Sequence, residues 1–323
     1  MGTYKVVITD REYETIDHER RILKEIDADL YDYQVKDAED IIRVAKDCDA
    51  MIVQYAKITK EVIGQLDKCK IIARYATGYD GIDIKAATDR GIFVTNVNDY
   101  CSQEVSTHAL ALLMELVQKT GRFDRWTREG KWGYQCGLPF SGLKEQIVGV
   151  IGFGKIAQAY IEKVKPLCKE IWAYDKFVPP EVMVNSGVRP KSFEELICGA
   201  DYISLHAPLT DDTYHMFNKD TFKIMKPTAG LINVARGGLI CEEHLINALR
   251  QKEIGCAALD VLETEPIASD NPLLDMENVV LTPHIGWYSK KSQEILQSTP
   301  AKEVVRALRG QIPRNLVNKV LDR

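Results

Sequence analysis

Short apolar runs alternate with helical patterns along the whole chain of 323 residues. The runs are rich in β-branched side chains, as expected of strands that are buried on both faces of a sheet. Strands that alternate with helices form parallel sheets with crossover helices, so we predict an α/β fold. The ten predicted strands are 6–9, 50–54, 70–74, 92–95, 147–151, 171–174, 202–205, 230–234, 257–261 and 279–282.

The order of the runs suggests two sheets, one in each of two domains, rather than a single sheet of ten strands. A chain of this length is long enough for two domains of about 150 residues each. Residues 103–139 contain a long apolar helix and a polar, aromatic stretch but no predicted strand. We therefore expect the first sheet to end by Asn96 and the second to begin near Gln146. A helical segment at 289–308 follows the last predicted strand.

The composition argues against several classes of protein. Lys and Arg number 42 against 47 Asp and Glu, so there is no basic excess to attract nucleic acid. No apolar run approaches the length of about 18 residues that a membrane span needs. The eight cysteines show no metal-ligand spacing and resemble buried thiols of a reducing compartment. We predict a soluble, cytoplasmic protein with no metal site and with neither nucleic acid nor membrane as a partner.

The segment IVGVIGFGKIAQAY has the pattern G-x-G-x-x-A, formed by Gly152, Gly154 and Ala157. The first glycine allows a tight turn, and the second lets a pyrophosphate approach the N-terminus of the following helix. The next predicted strand ends in Asp175, 23 positions after Gly152, where a carboxylate can bind the adenosine ribose. A tight turn without a ligand is the alternative for such a glycine pattern. The order of the elements favours a dinucleotide site with NAD preferred over NADP, a preference that the neighbouring Lys176 weakens because it could meet a phosphate.

Three polar side chains follow the last three predicted strands: Arg236, Glu265 and His284. Ligands of doubly wound sheets bind outside the carboxyl ends of the strands, so these residues can converge on one site. A histidine paired with a carboxylate suits general acid and base chemistry, and an arginine can bind a carboxylate through two hydrogen bonds. Each residue alone would more often be an ordinary loop residue. Together they fit hydride transfer between NAD(H) and a 2-oxo acid, with His284 as proton donor.

Other residues have two interpretations. His206 follows a predicted strand and either lines the cofactor cleft or is a satisfied loop histidine. Asp260 lies in an apolar strand, where an unpaired acid is costly, and could bind the nicotinamide carboxamide. His108 lies on the long helix and is expected to be structural. His18, His215 and His244 have no supporting pattern.

The motifs RYATGYDGIDI, GVIGFGKIAQ, HAPLT, NVARGG, LDVLETEP and TPHIGW together resemble those of the D-isomer-specific 2-hydroxyacid dehydrogenase family over about residues 50–310. The resemblance implies that Arg236, Glu265 and His284 are the catalytic set and that NAD is the cofactor. It implies cofactor contacts from Gly152, Phe153, Gly154, Lys155, Ile156, Asp175, His206, Pro208, Val234, Ala235, Arg236, Asp260, His284 and Gly286. It implies substrate contacts from Tyr55, Arg74, Ala76, Thr77, Gly78, Arg236, His284 and Trp287.

The resemblance also implies the domain arrangement. Two doubly wound parallel-sheet domains are expected, with a Rossmann NAD-binding domain at 100–289 inserted into a flavodoxin-like substrate domain formed by 1–99 and 290–323. Proteins that resemble this one in these motifs are usually homodimers, and the segment after Asn98 is expected to contribute to the interface.

Within the family, TPHIGWYS and VQYAKIT most resemble the C-terminal-binding protein branch, which binds NAD(H) and acts in transcriptional corepression. An NAD(H)-sensing, corepressor-like interaction protein with vestigial catalysis is therefore the alternative function. The intact Arg, Glu and His set favours an NAD-dependent D-2-hydroxyacid dehydrogenase. Gln54 stands where phosphoglycerate dehydrogenases often carry an arginine, which disfavours a phosphorylated substrate. The aromatic pair Tyr55 and Trp287 suggests an apolar or aromatic-tailed 2-oxo acid.

Overall fold

The computed structural model describes residues 2–137 and 141–320. Pro139, at the end of the segment predicted to lack strands, and residues 1 and 321–323 of the predicted substrate domain lie outside the described residues. The chain divides into two compact units. The first comprises the residues up to Tyr100 together with those from Ser289 onward, and the second runs from Cys101 to Tyr288.

Over the described residues the chain forms twelve strands and twelve α-helices. The strands are β1 (Tyr4–Ile8), β2 (Ala28–Asp32), β3 (Ala50–Val53), β4 (Ile71–Arg74), β5 (Phe93–Thr95), β6 (Ile147–Ile151), β7 (Glu170–Tyr174), β8 (Arg189–Pro190), β9 (Tyr202–Leu205), β10 (Gly230–Asn233), β11 (Cys256–Leu259) and β12 (Val279–Leu281). The helices are α1 (Asp17–Leu23), α2 (Ala38–Ala45), α3 (Lys60–Gly64), α4 (Ile84–Asp89), α5 (Ser102–Gln118), α6 (Thr120–Arg128), α7 (Lys155–Val164), α8 (Pro180–Asn185), α9 (Phe193–Gly199), α10 (Lys219–Ile224), α11 (Glu242–Gln251) and α12 (Lys290–Leu308).

The first unit contains a sheet of five parallel strands in the order β2-β1-β3-β4-β5. This is the flavodoxin-like order, in which the direction of winding reverses between β1 and β3. Every residue of β3 is buried, and helices α2, α3 and α4 supply apolar side chains to the same core. The continuous apolar runs of the central strands follow from this burial on both faces.

The second unit contains a sheet of seven parallel strands in the order β12-β11-β10-β9-β6-β7-β8. Counted from β6, this is the Rossmann order 3-2-1-4-5-6 with one further strand, β12, at the edge. The winding reverses between β6 and β9, and ligands of such sheets bind outside the carboxyl ends of the strands at this point. The prediction of two parallel-sheet α/β domains is confirmed.

All ten predicted strands are present, with ends that differ by at most two residues. The sequence reading missed β2 and β8, which lie at the edges of their sheets. The β2 sequence ADLYD is only partly buried and carries two acids, so it lacks an apolar run. The β8 strand has only two residues. Edge strands tolerate polar residues because one side of the strand faces solvent, and this removes the signal on which the prediction depends.

The residues that follow α12 pair with the edge strand β5 of the first unit. The Val94 amide donates to Asn318 Oδ1 at 2.8 Å, and the Val317 amide donates to the Val94 carbonyl at 2.8 Å. Asn318 Nδ2 also donates to the Ile92 carbonyl at 2.9 Å. The Asn96 amide donates to the carbonyl of Asn315. The C-terminal segment therefore occupies hydrogen-bonding groups at the open edge of this sheet.

Two general features complete the fold. Within the described ranges, no helix combines the length and the apolar character that crossing a bilayer requires. All eight cysteines are free thiols, and five of them are buried.

Candidate active site

The three predicted catalytic residues follow neighbouring strands of the second unit. Arg236 comes after β10, Glu265 after β11 and His284 after β12, and these three strands are adjacent in the sheet. His284 Nδ1 lies 2.7 Å from Glu265 Oε2, with both side chains partly exposed, 43% and 38% respectively. The structure therefore brings the predicted imidazole and carboxylate into direct contact across 19 residues of sequence.

The environment of Glu265 keeps it ionised. Burial opposes the charged form, but the hydrogen bond and the charge of His284 outweigh it, so the pKa of Glu265 lies below its ordinary value. The other carboxylate oxygen accepts a hydrogen bond from the Leu262 amide at 3.0 Å. Because the carboxylate takes up Nδ1 of the ring, proton exchange between His284 and a ligand would use Nε2.

The backbone around Arg236 is held tightly. Asn233 Nδ2 donates to the Arg236 carbonyl at 2.9 Å, and the Asn233 side-chain oxygen accepts from the Ala235 amide at 3.0 Å. The Arg236 guanidinium donates to the Ala235 carbonyl at 2.7 Å. The next residue must be glycine, because a Cβ on Gly237 would lie 1.9 Å from the carbonyl oxygen of Leu262. This close approach packs the Arg236 loop against the loop that leads to Glu265.

Asp260 anchors the loop that carries His284. The Asp260 side chain is 3% exposed, and its carboxylate accepts hydrogen bonds from the Thr282 hydroxyl at 2.6 Å and from the Ile285 and Gly286 amides at 2.9 Å. The His284 amide donates to the Asp260 carbonyl at 2.8 Å, and His284 has a left-handed φ of 54°. These contacts fix the backbone of the loop. A bond from Asp260 to the nicotinamide carboxamide stays a prediction.

His108, on α5, joins this network. Its Nε2 lies 3.0 Å from Thr282 Oγ1 and 3.3 Å from Asp260 Oδ1. The Thr282 hydroxyl gives its only proton to Asp260, so its oxygen must accept from His108, which places a proton on Nε2 of that ring. Burial would raise the pKa of Asp260, yet its hydrogen bonds, among them that from His108, hold it below the ordinary value.

The glycine turn has the space that a dinucleotide needs. Gly152 has a φ of 95°, and a Cβ there would lie 2.8 Å from the backbone of His206. A Cβ on Gly154 would meet nothing within 4 Å, and no side chain from the described part of the chain caps the helix α7 that begins after it. The first turn of α7, at Lys155 and Ile156, can therefore face a phosphate. These residues fit the pyrophosphate of a dinucleotide.

Asp175 lies directly beside this turn. Its Oδ2 accepts from the Phe153 amide at 2.8 Å, and its Oδ1 accepts from the amides of Phe177 and Val178 at 2.8 and 3.1 Å. Three backbone amides thus hold the carboxylate at the end of β7. An ionised carboxylate has about four acceptor positions, so it can still accept from a ribose hydroxyl.

His206 follows β9 and is a neutral histidine. Its Nε2 pairs with Ser204 Oγ at 2.9 Å, and its ring centroid lies 5.0 Å from that of Tyr160. Burial lowers the pKa of His206 to about 3. Its Nδ1 has no hydrogen-bond partner among residues 2–137 and 141–320. One ring nitrogen is therefore satisfied within the fold, which leaves both predicted roles open.

The remaining predicted cofactor residues follow β9, β10 and β12 in the second unit. Val234 and Ala235 lie directly after β10, next to Arg236, and Val234 is buried. The Pro208 carbonyl accepts from Thr213 Oγ1 at 2.7 Å in the loop after β9. Gly286 packs against the Asp260 carboxylate and the His108 ring, where a Cβ would lie 2.9 and 3.1 Å from them.

The predicted substrate residues of the first unit follow β3 and β4. Tyr55 is 49% exposed, and its amide donates at 2.6 Å to Asp10, a buried acid that follows β1. Arg74 ends β4, and its Nε donates to the Gln54 carbonyl at 3.3 Å. Ala76, Thr77 and Gly78 come next, with the Thr77 hydroxyl donating to the Val97 carbonyl at 2.8 Å.

Sequence reasoning missed several residues that support these sites. Asp10 and Glu12 follow β1, and the Tyr55 hydroxyl donates to Glu12 Oε1 at 3.0 Å. Both acids lie within three residues of the end of a predicted strand, a position that could have drawn attention to them. His215, for which no pattern was found, pairs with Glu263 Oε1 at 2.5 Å. No local signal links these last two residues, because the contact joins positions 48 residues apart.

The chain is similar to known proteins over most of its length. The NAD binding domain of the D-isomer specific 2-hydroxyacid dehydrogenases matches residues 110–286. A glyoxylate reductase from Thermococcus litoralis is 38% identical over 287 residues, 86% of each chain. A D-3-phosphoglycerate dehydrogenase from Methanocaldococcus jannaschii is 36% identical over 87% of this chain, which spans only 53% of that longer protein.

A solved structure agrees with these sequence matches. The crystal structure of D-lactate dehydrogenase from Aquifex aeolicus, complexed with NAD and lactic acid, superposes with a TM-score of 0.87 at 28% identity. The superposition covers 97% of this chain and 99% of that one. The chain therefore belongs to the D-isomer-specific 2-hydroxyacid dehydrogenase family.

Proposed function

We propose that the protein is an NAD-dependent D-2-hydroxyacid dehydrogenase that interconverts a small 2-oxo acid and the corresponding D-2-hydroxy acid. The observation that carries the proposal is the 2.7 Å contact between His284 and Glu265 at the ends of adjacent strands, with Arg236 after the next strand of the same sheet. The names glyoxylate reductase and D-lactate dehydrogenase among the similar proteins support this class of substrate.

The second unit is proposed to be the NAD-binding domain. The turn at Gly152 and Gly154 and the first amides of α7 would hold the pyrophosphate, and Asp175 would bind the adenosine ribose. When bound, the nicotinamide supplies the hydride for reduction and accepts it in oxidation. His206, Pro208, Val234, Ala235, Asp260 and Gly286 are proposed to complete the cofactor contacts.

The chain itself supplies the proton and the charge. In reduction, Nε2 of His284 gives a proton to the carbonyl oxygen of the substrate, and in oxidation the same nitrogen takes it back. Glu265 stabilises the imidazolium form of His284 through their hydrogen bond. The planar guanidinium of Arg236 binds the substrate carboxylate and polarises the carbonyl.

The first unit is proposed to be the substrate domain. Backbone amides of Ala76, Thr77 and Gly78, with Arg74 close in sequence, would bind the substrate carboxylate. Next to Gln54 we favour a substrate tail without charge. Gln54 Nε2 donates to the Glu12 carboxylate at 2.9 Å, and this acid would repel a phosphate on the substrate. Tyr55 and Trp287 would contact an apolar or aromatic tail.

Three further proposals concern the setting of the enzyme. We propose a homodimer, with the segment after Asn98 in its interface. The eight free thiols support a cytoplasmic location. Membership of the C-terminal-binding protein branch stays a prediction that rests on Tyr55, Trp287 and the motifs around them, since the curated relatives reported above are a glyoxylate reductase and a phosphoglycerate dehydrogenase.

The experiment is NADH oxidation with a panel of 2-oxo acids that includes glyoxylate, pyruvate, phenylpyruvate, 4-methylthio-2-oxobutyrate and phosphohydroxypyruvate. We expect turnover with at least one unphosphorylated acid, and loss of turnover without loss of NADH binding in His284→Ala. No turnover with any acid would contradict the proposal and favour a nucleotide-sensing protein. Activity on phosphohydroxypyruvate ten times that on the other acids would contradict the assignment of the tail.

A further inference from the structure

A second acid lies next to the proposed ribose site. Lys176, the residue after Asp175, has its Nζ 2.6 Å from Asp212 Oδ2. Asp212 belongs to the loop after β9, so the ion pair joins two loops at the carboxyl edge of the same sheet. The pairing raises the pKa of Lys176 and lowers that of Asp212, so both groups are charged at neutral pH.

The ion pair bears directly on the choice between NAD and NADP. The 2′-phosphate of NADP adds a charge of about −1.5 to −2 at neutral pH, as other phosphate monoesters do. Asp175 would repel that phosphate, and Lys176 is the cation beside it that could compensate. In this structure, however, Lys176 is already paired with a carboxylate. A phosphate that approached Lys176 would therefore also meet the carboxylate of Asp212, which would repel it.

We propose that Asp212 is a specificity-determining residue for NAD over NADP. Asp212 pairs with Lys176, the lysine that follows the ribose-binding acid Asp175. It thereby changes the summed charge of this group of side chains from zero, without Asp212, to −1. The proposal rests on the proposed function, because it assumes that the second unit binds NAD with Asp175 at the ribose. It also explains how a lysine next to Asp175 is compatible with a preference for NAD.

The size of the effect is limited by solvent. Both partners of the pair are more than half exposed, and exposed charges are screened by water and salt. We therefore expect Asp212→Asn to strengthen NADPH binding about fivefold and to change NADH binding by less than about twofold. Raising the ionic strength should reduce this gain, because the interaction with the phosphate is electrostatic.

The test measures dissociation constants of NADH and NADPH by fluorescence titration, without turnover, for the unmutated protein and for Asp212→Asn. The matched control is Asp211→Asn, which removes the same charge from the same loop but leaves the Lys176–Asp212 pair intact. We expect the Kd ratio of the two nucleotides to change in the first variant and not in the second. Adding Lys176→Met to Asp212→Asn should abolish most of the gain, because the cation that Asp212 releases is then missing.

The possible results distinguish a failure of the Asp212 role from a failure of NAD binding itself. If the unmutated protein binds NADH and Asp212→Asn leaves the Kd ratio unchanged, the inference is wrong and the proposed function stands. If Asp211→Asn gives the same gain, the effect is one of general charge and the role of Asp212 is refuted. If the unmutated protein binds neither nucleotide, the proposed function fails and the inference fails with it.

Discussion

Replacing Asp260 with asparagine should separate the stability of the His284 loop from its charge. The carboxylate accepts from the Thr282 hydroxyl and the Ile285 amide through Oδ1 and from the Gly286 amide through Oδ2. Asparagine keeps one oxygen and replaces the other with an NH2 group. The amide loses fewer hydrogen bonds when its oxygen takes the place of Oδ1, which accepts two of them. The new NH2 group then faces the Gly286 amide, so two donors confront each other in a buried position.

The magnitude follows from these contacts. Two buried donors without acceptors cost about 1–3 kcal/mol each. The bonds that remain lose their charge assistance, but a neutral amide also costs less to bury than a carboxylate, and these two effects oppose each other. We therefore expect Asp260→Asn to lower the free energy of unfolding by roughly 3 kcal/mol, which a domain of ordinary stability survives.

The same change should reach catalysis through the backbone. His284 is not glycine, yet it has a φ of 54°, a conformation that the surrounding loop must hold in place. If displacement of the imidazole raises the activation free energy by about 2 kcal/mol, kcat falls about 30-fold. NADH affinity should fall only by the share that Asp260 itself contributes, because the glycine turn at Gly152 and Gly154 lies on another loop of the sheet.

Urea unfolding and steady-state kinetics check this prediction. The exposed Asp270→Asn serves as the control, because it removes one negative charge from the same unit without touching the loop. A variant Asp260→Asn whose kcat and unfolding midpoint both match those of the unmutated protein would refute the anchoring role. The stability gap between the two proteins should also narrow in acid. A carboxylate whose pKa is lowered by folding contributes stability above its unfolded pKa of about 3.9 and loses it as pH falls through the folded value.

The remaining predictions concern the catalytic pair and the glycine contact. Reduction should persist in acid until the pH falls below the ordinary pKa of a glutamate, because Glu265, whose pKa is lowered, then takes up a proton and no longer supports His284; activity already lost near pH 6 would count against the pairing. Glu265→Gln should lower kcat and remove this loss of activity in acid, since the variant has no carboxylate to protonate; superimposable pH–rate curves would argue against the pairing. Gly237→Ala should destabilise the protein by about 2–4 kcal/mol in thermal unfolding, because its Cβ meets the Leu262 carbonyl, whereas Gly64→Ala, which meets nothing within 4 Å, should not.

The parts of the fold that the sequence predicts are those in which one physical requirement dominates. The central strands are buried on both faces, so residues such as those of β3 and β9 had to be apolar, and the pattern shows it. The contact between His284 and Glu265 was predictable because parallel strands bring their carboxyl ends to one edge. In both cases a local pattern and the topology of the sheet point to the same answer.

The rest depends on contacts between distant parts of the chain. His108 lies 174 residues from Thr282, and nothing in the apolar helix around His108 indicates that its ring reaches the loop of His284. Asp260 is conspicuous in the sequence because it interrupts an apolar strand, but the donors that satisfy it come from a turn whose geometry the sequence does not display. The pairing of Lys176 with Asp212 likewise joins two loops whose separation in space only the fold determines.

The C-terminal pairing with β5 has a consequence for the protein before folding is complete. An open sheet edge presents amide and carbonyl groups to which a strand from another molecule can add. Here those groups on Val94 and Asn96 are used by residues that lie more than 200 positions later in the chain. Until Asn315 and Asn318 have been synthesised and have docked, the nascent first unit keeps a free edge, and self-association through β5 competes with closure during that interval.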